Sequence, residues 1–336
     1  MRVLHILCDL SGGGAERLVL EMCRRRAPDI SVEVATVMGF GPLEADFRDV
    51  APIFSAGRTR RHLGIRAVAR LVPLVRRADV VHTHLFAGDT WGRIAAAITG
   101  HPAVVTTEHN IDRDETWQRP IRELLAPIAT TVAVSEAVAR ASPAADTRVI
   151  ANGIDLARFT APHRGGSGIL GVGRLVPQKG FDVLARAVPA GVRVRIAGEG
   201  AMRIPHPDIE WLGRRENVPD LLAAADILVV PSRWEGFGIA ALEGMAAGVP
   251  VVASNVDGLA ELVGNAGVLV PPGDAPALHD ALTALLADPA RRADLSQKGR
   301  ERAAGFGIDR TVQRYESLYR TLVDGIRSRP PSPSRA

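Results

Sequence analysis

Two glutamates around a glycine-rich turn are the residues of this sequence that most clearly could do chemistry. The stretch PSRWEGFGIAALEGMAAGVPVVAS places Glu235 directly before Gly236, Phe237 and Gly238, and Glu243 eight residues after Glu235. ILVVPS predicts a buried strand, and IAALEGMAA predicts a helix whose first turn contains the Gly-Phe-Gly. Eight helical residues span roughly 12 Å. The carboxylates could therefore bind the hydroxyl groups of a sugar at one end and of a ribose at the other, with glycine N–H groups between them.

A second candidate group is cationic. Arg174 and Lys179 lie five residues apart in GRLVPQKG, on a loop that leaves a predicted strand, and Gly173 and Gly180 bracket them. A guanidinium can bind two phosphate oxygens at once, and an ammonium adds a point charge, so the pair suits a diphosphate. The alternative is two solvated surface charges.

Three glycines follow the first predicted strand in SGGGAER, where Gly13 and Gly14 precede a helix. Backbone N–H groups at a helix N-terminus can bind a phosphate. The third glycine of the dinucleotide pattern G-x-G-x-x-G would fall on Arg17, which argues against a redox Rossmann protein. An ordinary tight turn is the alternative interpretation.

Polar residues also end two strands of the first half. Glu108, His109 and Asn110 in TEHN carry more polar chemistry than a turn needs, so His109 is a candidate site residue. The histidines of HTH, at 82–84, are interpreted instead as hydrogen-bonded structural residues.

The elements that position these residues alternate between apolar runs and helical stretches. RVLHILC predicts a strand, and AERLVLEMCRRR after the glycines predicts a helix, which is how a doubly wound sheet begins. Such alternation predicts parallel strands joined by helical crossovers, with ligands at the carboxyl ends of the strands. Further strands are predicted at 31–37, 80–84, 103–109 and 130–135, and in the second half at 168–175, 192–198, 209–213, 225–232, 250–254 and 266–271. Helices are predicted at 64–78, 90–100, 180–188, 217–225, 238–247, 257–263 and 275–287.

Length and composition agree with a two-domain α/β protein. The chain has 336 residues, of which 46% are hydrophobic and only 4% aromatic, with 33 glycines. Two cysteines give neither a disulfide framework nor a metal-ligand spacing, and no segment reaches the 18 apolar residues of a membrane span. No signal peptide is recognised. The cysteine usage leads us to expect a reduced cytoplasm, with a possible peripheral position at the inner face of the membrane. The net charge of +4 does not choose between anionic small ligands, a membrane surface and nucleic acid.

Composition also suggests where the domains divide. The polar, glycine-containing stretch at 158–168 is interpreted as a linker. We expect a first Rossmann-like domain at 1–160, a second at 161–310, and a C-terminal helix at 311–328 that crosses back to the first domain. The tail at 329–336 is too rich in Pro, Ser and Arg to pack and is expected to be disordered.

The order of the motifs resembles the retaining glycosyltransferases of family four, which have the GT-B fold. The resemblance extends from about residue 3 to residue 325 and is specific because ten motifs occur in sequence. They are GGAER, HTH, TEHN, VSE, NGID, GRLVPQKG, AGEG, LGRRENVPDLLAAADILVVPS, EGFGIAALEGMAAGVPVVAS and GLAELV. It implies two Rossmann-like domains that face each other across a cleft, with the acceptor bound by the first and a nucleotide-sugar donor by the second.

The resemblance also implies roles for individual residues. Gly13 and Gly14 would approach the donor phosphate and the acceptor, and His109 would contact the donor sugar. Arg174 and Lys179 would hold the diphosphate as leaving group. Glu235 would face the sugar and Glu243 would bind the ribose, with Gly236, Phe237 and Gly238 between them. The loop GRRENV would carry the nucleobase, which makes Arg214 and Val218 weaker candidates.

The reaction implied is transfer of a sugar from a nucleotide diphosphate sugar to a hydroxyl group with retained anomeric configuration. In this family the leaving phosphate takes the acceptor proton on the same face, so no carboxylate nucleophile, metal or other cofactor is expected. A UDP-sugar is favoured over a GDP-sugar on family frequency alone, and no nucleic acid partner is expected. The acceptor is left open among a lipid-linked sugar, a polysaccharide and a small molecule. A GT-B nucleotide-sugar epimerase and a non-catalytic binding homologue are the alternatives.

A basic segment at 58–79 suggests a further partner. It combines seven arginines with an apolar set, and such a surface could lie on an anionic membrane leaflet near a lipid-linked acceptor. The favoured interpretation is an ordinary amphipathic helix that packs on the sheet. Pro73 argues against one uninterrupted helix. The arginines are Arg58, Arg60, Arg61, Arg66, Arg70, Arg76 and Arg77, and the apolar set is Leu63, Ile65, Val68, Leu71, Val72, Leu74 and Val75.

Overall fold

The computed structural model describes residues 1–57, 64–111 and 116–328, and these divide into two compact units. Unit 1 contains Met1–Val134, Ala139–Ile150 and the chain from Asp309 onward. Unit 2 contains Ser135–Val138 and Ala151–Ile308. The structure differs here from the expected boundary, because residues 151–160 cluster with the second unit. The tail at 329–336 lies outside the described residues.

Unit 1 is built on a seven-stranded parallel sheet of order β3-β2-β1-β4-β5-β6-β7. The order reverses between β1 and β4, which makes the carboxyl ends of these two strands the switch point of the sheet. The strands are β1 (Arg2–Leu7), β2 (Ser31–Thr36), β3 (Ile53–Ser55), β4 (Val80–His84), β5 (Val104–Glu108), β6 (Thr130–Ala133) and β7 (Thr147–Val149). The helices are α1 (Gly14–Arg25), α2 (Glu44–Arg48), α3 (Gly64–Arg77), α4 (Phe86–Thr99) and α5 (Arg119–Leu125). In α6 (Glu136–Ala141) the residues up to Val138 cluster with unit 2 and the rest with unit 1.

Unit 2 repeats this plan with a six-stranded parallel sheet of order β10-β9-β8-β11-β12-β13. Its order reverses between β8 and β11. The strands are β8 (Ile169–Val172), β9 (Val194–Ala197), β10 (Ile209–Gly213), β11 (Ile227–Val230), β12 (Val251–Ser254) and β13 (Val268–Val270). The helices are α7 (Phe181–Ala187), α8 (Val218–Ala224), α9 (Ile239–Ala247), α10 (Asp257–Val263), α11 (Ala275–Ala287) and α12 (Pro289–Ala303).

Several central strands are mainly apolar because helices cover both faces of each sheet. All four residues of β11 are buried, as are the last five of the six residues of β1. Such runs are typical of parallel strands and leave little room for polar side chains within the sheet. In unit 2 the candidate site residues therefore lie in the loops at the strand ends, whereas strands β1, β4 and β5 of unit 1 also carry buried polar side chains.

The C-terminal helix α13 (Ile308–Arg327) packs in unit 1 from Asp309 onward. Tyr315 and Tyr319 of this helix are fully buried and hydrogen-bonded to side chains of β4 and β5. The last segment of the chain thus completes the core of the unit formed by the first segment.

Helix α3 settles part of the interpretation of the basic segment. Val68, Leu71, Leu74 and Val75 are buried in the core of unit 1, so this apolar stripe packs on the sheet. The helix continues through Pro73, and the expectation of an interruption there is wrong. Pro73 is exposed, where solvent can satisfy the carbonyl group that its missing N–H leaves free. Arg58, Arg60, Arg61 and Leu63 lie outside the described residues. No described helix is both long and apolar enough to cross a membrane.

Candidate functional site

The loop after β8 carries the two cations of GRLVPQKG at the switch point of unit 2. Arg174 is exposed, and Lys179 is half-buried at the end of a single 3-10 turn, Pro177–Lys179. Gly180 follows with φ +65°, and a Cβ atom there would lie 1.9 Å from the carbonyl oxygen of Pro231. Only glycine fits this position, because the loop after β8 touches the backbone of the loop after β11.

Lys179 and Glu235 form an ion pair between these two loops. The Lys179 Nζ contacts the Glu235 carboxylate, and the side chains are 20% and 13% exposed. The Ser232 hydroxyl donates a longer hydrogen bond, of 3.4 Å, to the same carboxylate. The structure thus brings together one predicted cation and one predicted carboxylate, and each holds the other in place.

Arg233 and Asp182 join the loop after β11 to the first turn of α7, and neither residue was predicted from the sequence. The Arg233 guanidinium donates to both Asp182 carboxylate oxygens, at 2.7 and 2.6 Å, and to the carbonyl oxygen of Pro177 at 2.7 Å. These hydrogen bonds lower the pKa of Asp182. The Gln178 amide donates to the carbonyl oxygen of Trp234 at 3.2 Å. The position of Arg233 two residues before Glu235, within PSRWEGFG, was the available signal.

The turn after Glu235 differs from its prediction. Gly236, Phe237 and Gly238 precede the helix, which begins at Ile239, so the expected helix start is wrong. Gly238 is the N-cap residue of α9 and has φ +100°, which lies outside the α-helical range. The helix therefore begins only at the next residue. The distance of roughly 12 Å between the two glutamates, which assumed eight helical residues, therefore does not follow. Glu243 is half-buried in the second turn of α9.

Ser135 stabilises the same turn through a hydrogen bond from its side chain to the backbone of the turn. The Ser135 hydroxyl donates to the carbonyl oxygen of Gly236 at 2.7 Å and accepts from the Val138 N–H at 3.2 Å. The Gly258 N–H donates to the carbonyl oxygen of Glu235 at 3.2 Å. Ser135 belongs to the VSE motif, and nothing in the sequence indicated its partner.

Arg214 and Val218, the weaker candidates for a nucleobase, lie at the carboxyl end of β10. Val218 is the first residue of α8, and both side chains are half-buried. Strand β10 is at the edge of the sheet, two strands from β8. Both residues therefore lie beyond the carboxyl ends of the strands, as the loop of Lys179 does, but they are farther from the switch point.

The glycine turn of unit 1 contains a buried acidic group. Gly13 caps α1, and Gly14 is the first helical residue. A Cβ atom on Gly13 would lie 2.7 Å from a carboxylate oxygen of Glu16, whose other oxygen accepts from the Ser11 hydroxyl at 3.2 Å. Glu16 is 5% exposed. A phosphate at this N-terminus would meet a carboxylate, so the turn suits hydroxyl groups better than phosphate.

His109 lies directly after β5 and is half-buried. Its Nε2 is 3.2 Å from Nδ1 of His84, the last residue of β4. Burial lowers the pKa of His109 to about 4, so the ring is neutral at pH 7. A neutral imidazole can offer a sugar hydroxyl either a donor or an acceptor, but no charge.

His82 has the structural role expected for the histidines of HTH. Its Nδ1 pairs with the Tyr319 hydroxyl at 2.6 Å, and its Nε2 pairs with the Thr107 hydroxyl at 2.7 Å. Thr107 pairs in turn with the Tyr315 hydroxyl at 3.0 Å. Both nitrogens of His82 thus anchor the C-terminal helix to the sheet.

Comparison with known proteins identifies two domain families in the chain. Residues 12–158 match the family described as Glycosyltransferase Family 4, and residues 166–288 match Glycosyl transferases group 1. The two matches follow the division into two sheets.

Two curated relatives cover most of the chain. The UDP-Gal:alpha-D-GlcNAc-diphosphoundecaprenol alpha-1,3-galactosyltransferase of Escherichia coli is 28% identical over 84% of this chain and 87% of its own length. The D-inositol 3-phosphate glycosyltransferase of Salinispora arenicola is 29% identical over 93% and 88%. Among solved structures, HepE of Anabaena in complex with UDP and glucose matches with a TM-score of 0.78 and 22% identity, over 98% of this chain and 100% of that one. That likeness shows the GT-B fold.

Proposed function

Because the chain belongs to the GT-B glycosyltransferases, with a family 4 domain followed by a group 1 domain, we propose that it retains anomeric configuration when it transfers a sugar. The donor is a nucleotide diphosphate sugar, and the acceptor group is a hydroxyl. The observation that carries this proposal is the pairing of Lys179 with Glu235 at the switch point of unit 2, beside the exposed Arg174.

In this proposal the cations act on the leaving group. The departing nucleotide diphosphate gains negative charge in the transition state, and fixed positive charge near it lowers the barrier. Lys179 is held by the Glu235 carboxylate, and its loop is held by Arg233, so its ammonium is oriented before the donor binds. The exposed Arg174 can add a bidentate contact. These charges supply the stabilisation that a metal ion supplies elsewhere, and we propose that no metal or other cofactor is required.

Glu235 has a binding role in this proposal. Its carboxylate already pairs with Lys179, and a paired carboxylate is a weaker nucleophile than a free one. It retains lone pairs that can accept hydrogen bonds from sugar hydroxyls. Retention then follows the route that the family resemblance implies, in which the leaving phosphate accepts the acceptor proton on the same face.

The other site residues keep the roles that the resemblance implies. Glu243 accepts from the ribose hydroxyls, while Gly236, Phe237 and Gly238 form the turn beside the diphosphate. Arg214 and Val218 lie against the nucleobase. In unit 1, His109 contacts the donor sugar. Gly13 and Gly14 contribute to the acceptor site only, because the buried Glu16 carboxylate beside them favours hydroxyl groups over phosphate.

A UDP-sugar is the proposed donor. The galactosyltransferase relative of Escherichia coli is named for UDP-Gal, and the solved HepE structure contains UDP. The same relative is named for an acceptor linked to diphosphoundecaprenol, which supports a lipid-linked sugar as the acceptor class. Such an acceptor would place the enzyme at the cytoplasmic face of a membrane.

Peripheral membrane contact is proposed with a smaller surface than the sequence suggested. The apolar stripe of α3 is buried, so it is not the contact surface. The exposed side of α3 presents Arg66 and Arg76 together with Ile65, which is 89% exposed. Basic groups beside an anionic leaflet contribute about 1 kcal/mol each, and salt weakens them.

The test begins with the purified protein and a panel of nucleotides and nucleotide sugars, with thermal shift as the readout. Sugars that stabilise the protein are then incubated with lipid-linked, polysaccharide and small-molecule acceptors, and products are detected by mass. NMR of the product shows whether the anomeric configuration of the donor is retained. The matched control is Lys179→Ala, which should bind nucleotide but turn over poorly.

Four outcomes would contradict the proposal. A changed sugar without acceptor would indicate an epimerase, and binding without any product would indicate a non-catalytic homologue. Loss of activity in a chelator, restored by a divalent metal, would refute metal independence. An inverted anomeric centre would refute retention.

A further inference from the structure

Three histidines of unit 1 form a chain of hydrogen-bonded rings across adjacent strands. The Nδ1 of His5, on β1, is 3.1 Å from Nε2 of His84, at the end of β4. The Nδ1 of His84 is 3.2 Å from Nε2 of His109, after β5. His5 and His84 are 1% and 0% exposed. The chain thus connects the sheet interior to the candidate site residue at the strand end.

All three rings are neutral near pH 7. Burial lowers the pKa of His5 and of His109 to about 4 each. The pKa of His84 is lowered as well, by burial and then by the neighbouring imidazoles. A neutral imidazole has one N–H group and one lone pair, so each ring can donate only once and accept only once.

This cluster could also be taken for a metal site, since nitrogen atoms of His5, His82 and His84 lie within 4.8 Å of one another. The hydrogen bonds argue against it. His84 uses both of its nitrogens, on His5 and His109, and His82 uses both of its own, on Tyr319 and Thr107. A metal ion needs a free lone pair from each ligand and would have to break these pairs in a buried place.

We propose that His5 and His84 are positioning residues that fix the tautomer and the ring orientation of His109. The proposal rests on the proposed function insofar as His109 faces a sugar. If His109 donates through Nε2–H, then His84 and His5 must also carry their protons on Nε2. If the chain runs the other way, all three carry them on Nδ1. The three rings therefore share one tautomer. Whether Nδ1 of His109 donates or accepts a hydrogen bond is coupled to the protonation of His84 and His5 within the sheet.

The consequence for binding is a fixed hydrogen-bonding character at Nδ1 of His109. With the protons on Nε2, this atom accepts a hydrogen bond from a sugar hydroxyl, and with the protons on Nδ1 it donates one. A ring without the chain could change tautomer alone, whereas within the chain the protons of all three rings must move together.

The test is the ring ¹⁵N spectrum of the intact protein labelled at histidine, with shifts assigned by single substitution. Wild type should show His5, His84 and His109 neutral and in the same tautomer. His5→Phe, which removes the far end of the chain and does not touch His109, should move the His109 ring shifts. His5→Asn should restore them, because the Asn amide lies near the position of the His Nδ1 and can donate or accept.

His82→Phe is the matched control. Its ring packs on those of His5 and His84, with centroids 5.2 and 4.0 Å away, but is not a member of the chain. We expect its His109 shifts to match those of wild type. Unlike tautomers in wild type would overturn the proposal, and so would equal changes in His82→Phe and His5→Phe. The wild-type spectrum decides even if the variants do not fold.

A second measurement links the chain to catalysis. Once a donor and an acceptor are known, His5→Phe should lower kcat about tenfold with little change in KM for the acceptor, and His5→Asn should recover most of the loss. Unchanged kcat in a folded His5→Phe would show that the chain does not position His109 for the reaction. Absence of any transfer by wild type would instead contradict the proposed function, because the tautomers are measured without substrate. Stabilisation by added Zn²⁺ that His84→Phe abolishes would overturn the proposal in favour of a metal site.

Discussion

Replacing Gly180 by alanine tests whether the contact between two loops positions Lys179. Gly180 has φ +65°, and its added Cβ would lie 1.9 Å from the carbonyl oxygen of Pro231 and 2.9 Å from the carbonyl carbon. Cβ atoms essentially never come closer than 3.0 Å, so the loops must separate by about 1.1 Å at this point. Both groups that would clash are backbone, and no flexible side chain can move away instead.

The expected magnitude has two parts. An alanine in the left-handed region costs about 1–2 kcal/mol. Forcing the backbones apart adds about 1–3 kcal/mol, the usual range for overpacking. Gly191→Ala isolates the first part, because Gly191 has φ +72° in the same unit and its Cβ would meet nothing within 4 Å. We therefore expect Gly180→Ala to lose about 2–5 kcal/mol of unfolding free energy against about 1–2 for Gly191→Ala.

The functional effect should separate the variants further. A displacement of about 1 Å at a site can cost on the order of 100-fold in rate. Chemical denaturation gives the stability of each variant, and titration with UDP followed by turnover assays gives the function of the folded fraction. Gly180→Ala should lose about 100-fold in kcat/KM, and Gly191→Ala should stay within twofold of wild type. Equal activity in the two variants would refute the idea that this contact positions Lys179.

Four further predictions follow from the site and the core. Glu243→Ala should weaken UDP binding by about 1.5–3 kcal/mol in calorimetry, the value of a hydrogen bond to a charged group; unchanged affinity would remove its ribose role. Lys179→Ala and Arg174→Ala should lower kcat more than donor affinity, and equal losses would make them binding residues only. Co-sedimentation with anionic vesicles, but not neutral ones, should be released by salt; no sedimentation at low salt would argue for a soluble acceptor. His5 and His109 have a pKa of about 4 when folded against 6.5 ordinarily, so the unfolded chain takes up protons first and stability present above pH 6.5 is lost as pH falls toward 4. That loss is about 2 kcal/mol per ring at pH 5, measurable by denaturation at each pH.

The sequence predicted the α/β fold and most of its strands because buried parallel strands are long apolar runs between turn residues. Strand β10 and helices α10 and α11 occur at the predicted residues. The missed strands β3 and β7 have three residues each and lie at the two edges of their sheet. Their residues, IFS and TRV, include no buried side chain and form no continuous apolar run. Strand β13 is equally short and also at an edge, but its residues VLV are all apolar, and it was predicted.

The start of α9 was predicted too early for a different reason. Phe237 is buried, so the hydrophobic periodicity of α9 continues in the N-terminal direction beyond the first residue of the helix. The N-terminal limit of the helix is set by the backbone conformation of Gly238, which has φ +100°. A Cβ atom at this position would lie 2.7 Å from the Leu259 side chain. That constraint comes from α10, which is distant in sequence. A glycine between apolar residues signals a possible break but does not say on which side of it the helix lies.

The site residues also divide into two classes: those that a local sequence pattern indicates and those whose role depends on contacts with distant residues. Lys179 and Glu235 were found because charged groups among glycines at strand ends are unusual, and the sheet order then brings their loops together. The partners that hold them in place, Arg233 and Ser135, lie within recognised motifs, but nothing in those motifs indicates which distant residues they bind. Ser135 in particular donates to Gly236, 101 residues away. Chemistry that contacts a ligand leaves a local trace in sequence, whereas orientation of that chemistry depends on contacts that only the fold creates.

The histidine chain contains residues of both classes: some lie in recognised motifs, and one was identified only from its contacts in the fold. The motifs HTH and TEHN predicted polar residues at strand ends, whereas His5 lies within the apolar run RVLHILC, and no role was predicted for it. It faces His84 because β1 and β4 are adjacent and in parallel register, with His5 opposite His82. A polar residue in a central strand has a cost unless a neighbouring strand supplies its partner, and here that partner continues to a site residue. An unexplained polar side chain in a central strand is therefore a reason to look along the sheet toward its carboxyl edge.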